Sequence, residues 1–558
     1  MKKLKISKIM EILFLLIYTF IFLNSSIGTL WDHKISHEFP YGLMASDAFQ
    51  HQTRIEGIKL NGNYRNEPFF VSAGFEDVVG YYPPLLYHLS ILFSYASGLE
   101  TYDTAYLLIF ILAYVASLVM YLIIRNFNKQ IAILSLPLSL LIFSRAPFTG
   151  FTWGHWPALL GNFFLVCIFY AVSKLESMKS PAIIIMIISG AILAHTSEAA
   201  FGIIFTVVFL FFAVVLKKKT HLIKNGIAAV IVPVIVTFYY GVIFKFAWAS
   251  GSIFSYLVVP VWEGNLGFYM SHFGILLVFL IPGIIISIVS LLQKKIIVAI
   301  LAPLFMLFVG YSNYFGFSIR AFQTRFFWPI YLSFFMGIAL YNIIRLFAKK
   351  TMVISVAIAV ILMILFNVNQ GFAFLPKIEK ISSQGLMNSY HWQTFEWIRE
   401  NTDINSKVMF FYGDIYYQDA VLRNTQRRHF LVNRDDFIDK LQKGIISSTY
   451  KTKIPGDRSG GYLYRKSFFS FGFHYDEERS MLKTIERNVC DYDYYVFDKH
   501  SSTPALAQYN MLIRDTFLKV GLFQEVYNNE LVSILRNNNP GDDCLAEQNI
   551  AEKESIVD

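Results

Sequence analysis

The stretch from Thr104 to Ile124, TAYLLIFILAYVASLVMYLII, carries no charged residue, and Arg125 follows it at once. A helix needs about 20 residues to cross a hydrocarbon core of about 30 Å, so this run is long enough to span a bilayer and far longer than a strand. Working outward, similar runs fall at Ile9 to Leu30, Ile131 to Phe148, Trp156 to Ser173, Ala182 to His195, Ala199 to Leu216, Leu222 to Phe244, Phe273 to Leu292, Ile296 to Ser312, Phe326 to Phe347 and Met352 to Asn369. The chain is 55% hydrophobic and only 16% charged, against roughly 25% charged residues in a soluble domain. These values predict a polytopic α-helical membrane protein of about eleven transmembrane helices.

The charges between the runs orient it. With the N-terminus cytoplasmic, the inner loops carry Arg125 with Lys129, Lys174 with Lys179, Lys217 to Lys219 with Lys224, Lys294 with Lys295, and Arg345 with Lys349 and Lys350. Every inner loop is then basic, as insertion requires, and an odd number of crossings leaves the tail outside. The net charge of +9 is therefore an orientation signal, with no nucleic-acid partner implied. Lys2, Lys3, Lys5 and Lys8 precede the first run, whose length and lack of a small-residue cleavage site make it a retained anchor in the cell membrane.

The spans and their connections divide the chain into a membrane domain, residues 1–376, and an extracytoplasmic soluble α/β domain, residues 377–536, followed by a disordered polar tail, residues 537–558. In the α/β domain, Trp392 to Asn401 and Asp435 to Lys443 are predicted helices; Lys407 to Tyr412, Tyr494 to Asp498 and Leu531 to Arg536 are predicted strands. A long outer loop, residues 31–84, leads into Leu85 to Ala96, an apolar piece too short to cross and expected to be re-entrant or interfacial. A second outer segment, Ala247 to His272, contains Trp248, Trp262 and Tyr269. Of the three cysteines, Cys167 sits in a lipid-embedded run, whereas Cys490 and Cys544 share the oxidising side, where one bridge between them is open. No glycine-rich phosphate loop and no Cys/His zinc spacing occur.

The candidate site lies in the outer loops, because ionised groups at bilayer depth are costly and tend to line a cavity. In Ser46-Asp47-Ala48-Phe49-Gln50-His51-Gln52-Thr53-Arg54-Ile55, helical spacing puts Asp47, His51 and Arg54 on one stripe. A solvated interfacial face would show the same stripe. Asp77 precedes Gly80-Tyr81-Tyr82-Pro83-Pro84-Leu85-Leu86-Tyr87-His88, in which the paired prolines set a sharp helix start and Tyr82 and His88 are candidate substrate contacts. Trp153-Gly154-His155-Trp156-Pro157 is either an aromatic belt or a sugar-stacking wall. His195-Thr196-Ser197-Glu198 interrupts an apolar stretch, and a turn alone accounts for Thr and Ser but not for the His and Glu pair. Arg320 and Arg325, in Ser318 to Arg325, either meet lipid headgroups or hold a phosphate through the planar guanidinium. Glu263 and His272, in the second outer segment, are either a further polar cluster of the site or ordinary loop residues.

A retained first helix, an outer loop with Asp47 followed by His51 and Arg54, the Tyr81-Tyr82-Pro83-Pro84-Leu85 segment, many further helices and an outer α/β domain together resemble the GT-C glycosyltransferase superfamily. Trp397-Ile398-Arg399-Glu400-Asn401 and Val526-Tyr527-Asn528-Asn529 are similar to the soluble domains of its archaeal and bacterial members. The resemblance implies transfer of a sugar from a polyprenyl- or dolichyl-phosphate-linked donor to a protein, lipid or glycan acceptor at the outer face. It puts Asp47 at the reaction centre, with Asp77 as a second acidic residue. The Trp-Trp-Asp-Tyr-Gly signature of oligosaccharyltransferase catalytic subunits is absent, which leaves en bloc transfer to asparagine without support, and a divalent metal is left open. Direct displacement by one base would invert the anomeric carbon. A lipid-linked-glycan transporter or flippase would show polar residues through the full membrane depth and repeated halves, and a noncatalytic assembly protein would leave the polar first loop unexplained.

Overall fold

The computed structural model describes residues 2–28, 34–62, 67–72, 78, 82–215, 220–238, 273–293, 297–312, 321–348, 351–368, 374–379, 381, 384–416, 420–453, 461–465, 471–475, 485–541, 544 and 548–549. Asp77, Arg320, Glu263, His272 and the whole 247–272 segment lie outside them. Two compact units emerge: residues 1–36 with 82–383, and residues 37–81 with 384–558.

The first unit is helical, and the chain is a multi-pass membrane protein. Among the described residues, seven helices are long and apolar enough to cross a bilayer: Ser7–Gly28, Thr101–Phe127, Trp156–Lys174, Thr196–Val215, Gly274–Leu292, Trp328–Phe347 and Thr351–Val368. The other four expected crossings fall on shorter apolar helices, Lys129–Phe143, Ala182–Ala194, Leu222–Val236 and Val298–Gly310, and the short apolar piece is the helix Leu85–Ser97. Asn128 separates two helices by an elementary device. It ends Thr101–Phe127 in extended backbone, and its Oδ1 accepts the Gln130 and Ile131 amides at 2.8 and 3.2 Å, starting the next helix.

Lipid offers no hydrophobic drive between helices, so small residues and buried polar contacts join them. Tyr18 OH meets Ser117 Oγ at 2.8 Å and Ser139 Oγ at 2.7 Å, and Ser25 Oγ donates to Asn367 Oδ1 at 2.8 Å. A Cβ on Gly283 would lie 1.9 Å from the Phe335 carbonyl oxygen, so only glycine allows that crossing. Near the start of the first helix, Glu11 accepts from Tyr121 OH at 2.6 Å and pairs with Arg125 and with Lys129, the latter at 2.7 Å.

The second unit is the α/β domain. Its strands are β1 Lys407–Phe410, β2 Arg428–Val432, β3 Ile445–Ile446, β4 Thr449–Lys453, β5 Gly461–Arg465, β6 Phe471–Tyr475, β7 Ile485–Asn488, β8 Tyr494–Asp498, β9 Phe523–Asn528, β10 Val532–Asn537 and β11 Gln548–Asn549. Seven of them form one sheet in the order β7-β4-β2-β1-β8-β10-β9. β1 runs parallel to both β2 and β8, and the outer pairs are antiparallel. Central β8 is buried along its whole length, which explains its unbroken Tyr-Tyr-Val-Phe-Asp pattern. Phe411, Phe497 and Phe517 form the centre of the core, with the first two rings stacked at 4.5 Å. Helices Ser389–Asn401, Arg434–Lys443 and Pro504–Val520 complete the unit.

Two features differ from the sequence expectation. Residues 37–81, expected to group with the membrane helices, pack with the α/β domain: Gly42 N donates to Gln384 O at 2.7 Å, Leu386 N donates to Leu43 O at 2.8 Å, and Ala420 N donates to Ser46 Oγ at 3.3 Å. Backbone pairing across such sequence distance leaves no periodic trace. Within the tail expected to be disordered, the described residues 537–541, 544 and 548–549 are held by contacts. Cys544 is disulfide-bonded to Cys490, β11 pairs with β3, and Asn537 Nδ2 donates to Cys490 O at 3.0 Å.

Candidate functional site

The first-loop stripe folds as expected into the helix Ser46–Asn61, with its three polar residues in different settings. His51 and Arg54 are buried, and Arg54 Nε forms an ion pair with Glu67 at 3.0 Å. Asp47 is exposed in the first turn, where a carboxylate also complements the helix dipole, and no described side chain pairs with it. The stripe thus splits into a fixed pair beneath and one open carboxylate above.

In the membrane unit, three chain-distant segments meet. The helix Trp156–Lys174 begins after His155, whose Nδ1 lies 3.2 Å from Gln323 Nε2 and whose ring stacks on Phe326 at 5.2 Å. The short helix Ala321–Arg325 carries Gln323 and Arg325. Arg325 is 2% exposed; its Nε donates to Gly310 O at 2.5 Å, and its guanidinium lies 5.6 Å and 5.8 Å from the Tyr311 and Trp328 rings. Gly310 itself is close against the Trp328 ring.

Seven residues along the first of these helices, roughly 10 Å at 1.5 Å per residue, stands Asn162. Its Nδ2 donates to Ala158 O at 2.8 Å and to Glu198 Oε1 at 3.2 Å, and its Oδ1 accepts from Tyr331 OH at 3.0 Å. The other oxygen of Glu198 accepts from His195 Nδ1. Glu198 is fully buried and His195 is 7% exposed. His195 sits at the break between Ala182–Ala194 and Thr196–Val215, and Gly161 packs against both acidic and basic partners, since a Cβ there would lie 2.9 Å from Glu198 Oε2. The membrane unit therefore holds two polar clusters: His155 bonded to Gln323 on the short helix that also carries Arg325, and His195 with Glu198, Asn162 and Tyr331.

The remaining residues stand apart. Trp153 is 47% exposed at the end of Arg145–Thr152; Tyr82 and His88 are half-buried, before and within the helix Leu85–Ser97. Asp77 and Arg320 lie outside the described residues.

The α/β unit holds a second buried polar group. His391 Nε2 lies 3.1 Å from Asp498 Oδ2, Tyr416 OH donates to Asp498 Oδ1, and Asn388 Oδ1 faces His391 Nδ1 at 2.9 Å. Burial, then the Asp498 charge, drives the Tyr416 phenol well above its ordinary value. Nearby, burial raises the Asp414 carboxyl, but hydrogen bonds from Ser502 N, Ser501 Oγ and Tyr412 OH outweigh it and hold the group below the usual carboxylate range.

No family model and no curated protein matches the sequence. Solved structures do. The apo oligosaccharyltransferase of Archaeoglobus fulgidus superposes with a TM-score of 0.53 at 11% identity, covering 94% of this chain and 88% of that one. This is the GT-C fold. The same archaeal protein in complex with an inhibitory peptide and a dolichol-phosphate gives 0.51 at 11% identity, and its complex with Zn and sulfate gives 0.52 at 12%, each with the same coverage of 94% and 88%.

In this GT-C fold, no group of three or more His, Cys, Asp or Glu among the described residues is placed to hold a metal. Three contributors escaped the sequence reading. Asn162 is a lone amide inside an apolar run, a signal that was available because such groups seek partners in lipid. Tyr331 and Gln323 gave no signal, since a tyrosine or glutamine at a span end is commonplace.

Proposed function

We propose that this chain is a glycosyltransferase that moves a sugar from a polyprenyl-phosphate-linked donor to an acceptor at the outer membrane face. The observation that carries the reading is the fold: the likeness extends over 94% of the chain to a protein whose structure has been determined with a dolichol-phosphate. A cytoplasmic N-terminus and an extracytoplasmic α/β domain accord with the basic inner loops. They also accord with the Cys490–Cys544 disulfide, because such bonds persist in oxidising compartments.

Asp47 is the proposed base. Its open, unpaired carboxylate suits removal of a proton from the acceptor hydroxyl as that oxygen attacks the anomeric carbon. Charge then develops on the leaving lipid phosphate, which Arg320 or Arg325 would stabilise. Asp77 is the second acidic candidate, and Tyr82, His88, Trp153 and His155 are the proposed sugar and lipid contacts. His51 and Arg54 support the helix that carries Asp47. One direct displacement inverts the anomeric carbon.

The test supplies the purified full chain with radiolabelled polyprenyl-phosphate sugars and membrane acceptors. Asp47→Asn and Asp47→Ala are expected to lower transfer by about 10² to 10⁴, the usual worth of a positioned base. Undiminished transfer in both would reject the assignment of Asp47, and no transfer by the unmutated chain from any such donor would reject the activity.

A further inference from the structure

The Asp47 helix is seated by backbone contacts just ahead of the carboxylate. Gly42 N donates to Gln384 O at 2.7 Å, Leu386 N donates to Leu43 O at 2.8 Å, and Leu43 pairs with Gly385 as a parallel bridge. Leu43 is buried, so these bonds have no water to replace them if they are broken. Ala45 then runs extended at φ −152° and ψ 161°, and Ser46 opens the helix with its Oγ accepting from Ala420 N at 3.3 Å. Ala48 and Phe49 follow, both fully buried. Asp47 is thus held between two fixed points, the clip behind it and the buried turn ahead.

At the centre of the clip stands Gly385, whose φ of +90° lies in the region that side chains rarely adopt. A Cβ built there would lie 2.4 Å from Leu43 O and 2.8 Å from Leu43 N. Both are backbone atoms with no rotamer to give way. Ordinary contact begins at 3.4 Å, so Leu43 O would have to retreat by about 1 Å. A misplacement of about 1 Å at a reacting group, caused far from the chemistry, costs roughly 10²-fold in rate.

We propose that Gly385 is a positioning residue for the transfer reaction: by admitting Leu43 against a bare Cα, it sets where the Asp47 carboxylate stands. The inference rests on the reading of Asp47 as the base, and extends that reading to a residue that touches no substrate. A glycine needed only for the fold would show the same close approach. The two roles part in a double-mutant cycle, because groups that act as a unit are not additive, whereas a general loss of stability lowers activity in any background.

The test compares Gly385→Ala, Gly62→Ala, Asp47→Asn and the double variant Gly385→Ala with Asp47→Asn, each as the purified full chain. Gly62 is the control: it ends the same helix at φ +67° with nothing within 4 Å of a Cβ, so alanine there carries the backbone strain without displacing a neighbour. Gly385→Ala is expected to lower kcat about 10²-fold with KM for the lipid-linked donor within about threefold, and Gly62→Ala to stay within about threefold in both. In the Asp47→Asn background the Gly385 change should cost less than about threefold further. Hydrogen exchange, which needs no substrate, follows the clip itself: the amides of 42–49 and 384–386 should exchange at least about tenfold faster in Gly385→Ala, with those of Tyr494–Asp498 unchanged. A full 10²-fold loss in the Asp47→Asn background overturns the proposal, and so does faster exchange that spreads to Tyr494–Asp498. Undiminished transfer in Asp47→Asn, or none by the unmutated chain, sinks the proposed function and the positioning role with it. Asp47→Asn impaired and Gly385→Ala untouched sinks the positioning role alone.

Discussion

Removing the Cys490–Cys544 bridge should measurably loosen the α/β unit. The bond closes a loop with a sequence separation of 54, and the chain-entropy relation gives about 14 cal/mol/K for a loop of that length, or about 4 kcal/mol at 25 °C. Cys490→Ala with Cys544→Ala is the cleaner perturbation, because both positions are buried and alanine leaves no stranded polar atom. Native anchors near the bridge, including the Gly541 N to Cys490 O bond at 3.0 Å and the β11 to β3 pairing, belong to the folded state and so do not reduce the unfolded-state term. Pulse proteolysis of the detergent-solubilised full chain across a urea series reads the midpoint of this unit. With a slope of about 2 kcal/mol/M, the midpoint should drop by about 2 M. A shift below about 0.5 M, with the bridge confirmed in the unmutated chain by mass, would refute the argument that loop closure is what the bond contributes.

Arg54→Met should destabilise the same unit by about 3 kcal/mol, since it leaves the Glu67 carboxylate, 10% exposed, without its ion-pair partner; adding Glu67→Leu should recover most of the loss in the same proteolysis assay. Asp414 supplies a pH dependence. Its folded-state pKa lies below the usual carboxylate range, so its contribution is present above the unfolded-state value and is lost as pH falls through the folded-state value. Asp414→Asn should therefore remove less than about 1 kcal/mol at neutral pH, the group being exposed, and flatten the unfolding midpoint profile below about pH 4.

The membrane half was legible because its signal is local. A run such as Thr104 to Ile124 declares a crossing without knowledge of any partner, and the helix at Ser46–Asn61 followed from spacing alone. In the α/β half, buried β1 and β8 announced themselves by continuous apolar residues. Strands β4 and β7 did not, since Thr449 to Lys453 and Ile485 to Asn488 alternate polar residues at a sheet edge. The site divided in the same way. His195 and Glu198 stood out as charged types in an apolar stretch, whereas their link to Tyr331 runs through Asn162 and spans 169 positions of sequence. Contacts of that kind are set by packing and have no period to read.

The α/β unit is assembled from two pieces separated by the whole helical bundle, since Gly42 and Leu43 find their backbone partners at Gln384, Gly385 and Leu386. Between Tyr81 and Gln384 the ribosome adds about 300 residues, which at 5 to 20 residues per second takes about 15 to 60 s. Throughout that interval the Asp47 segment has been made but has nothing to fold against. Nascent chains halted before the late strands emerge would therefore keep this segment open to protease, and its protection would arrive in one step with the last part of the polypeptide.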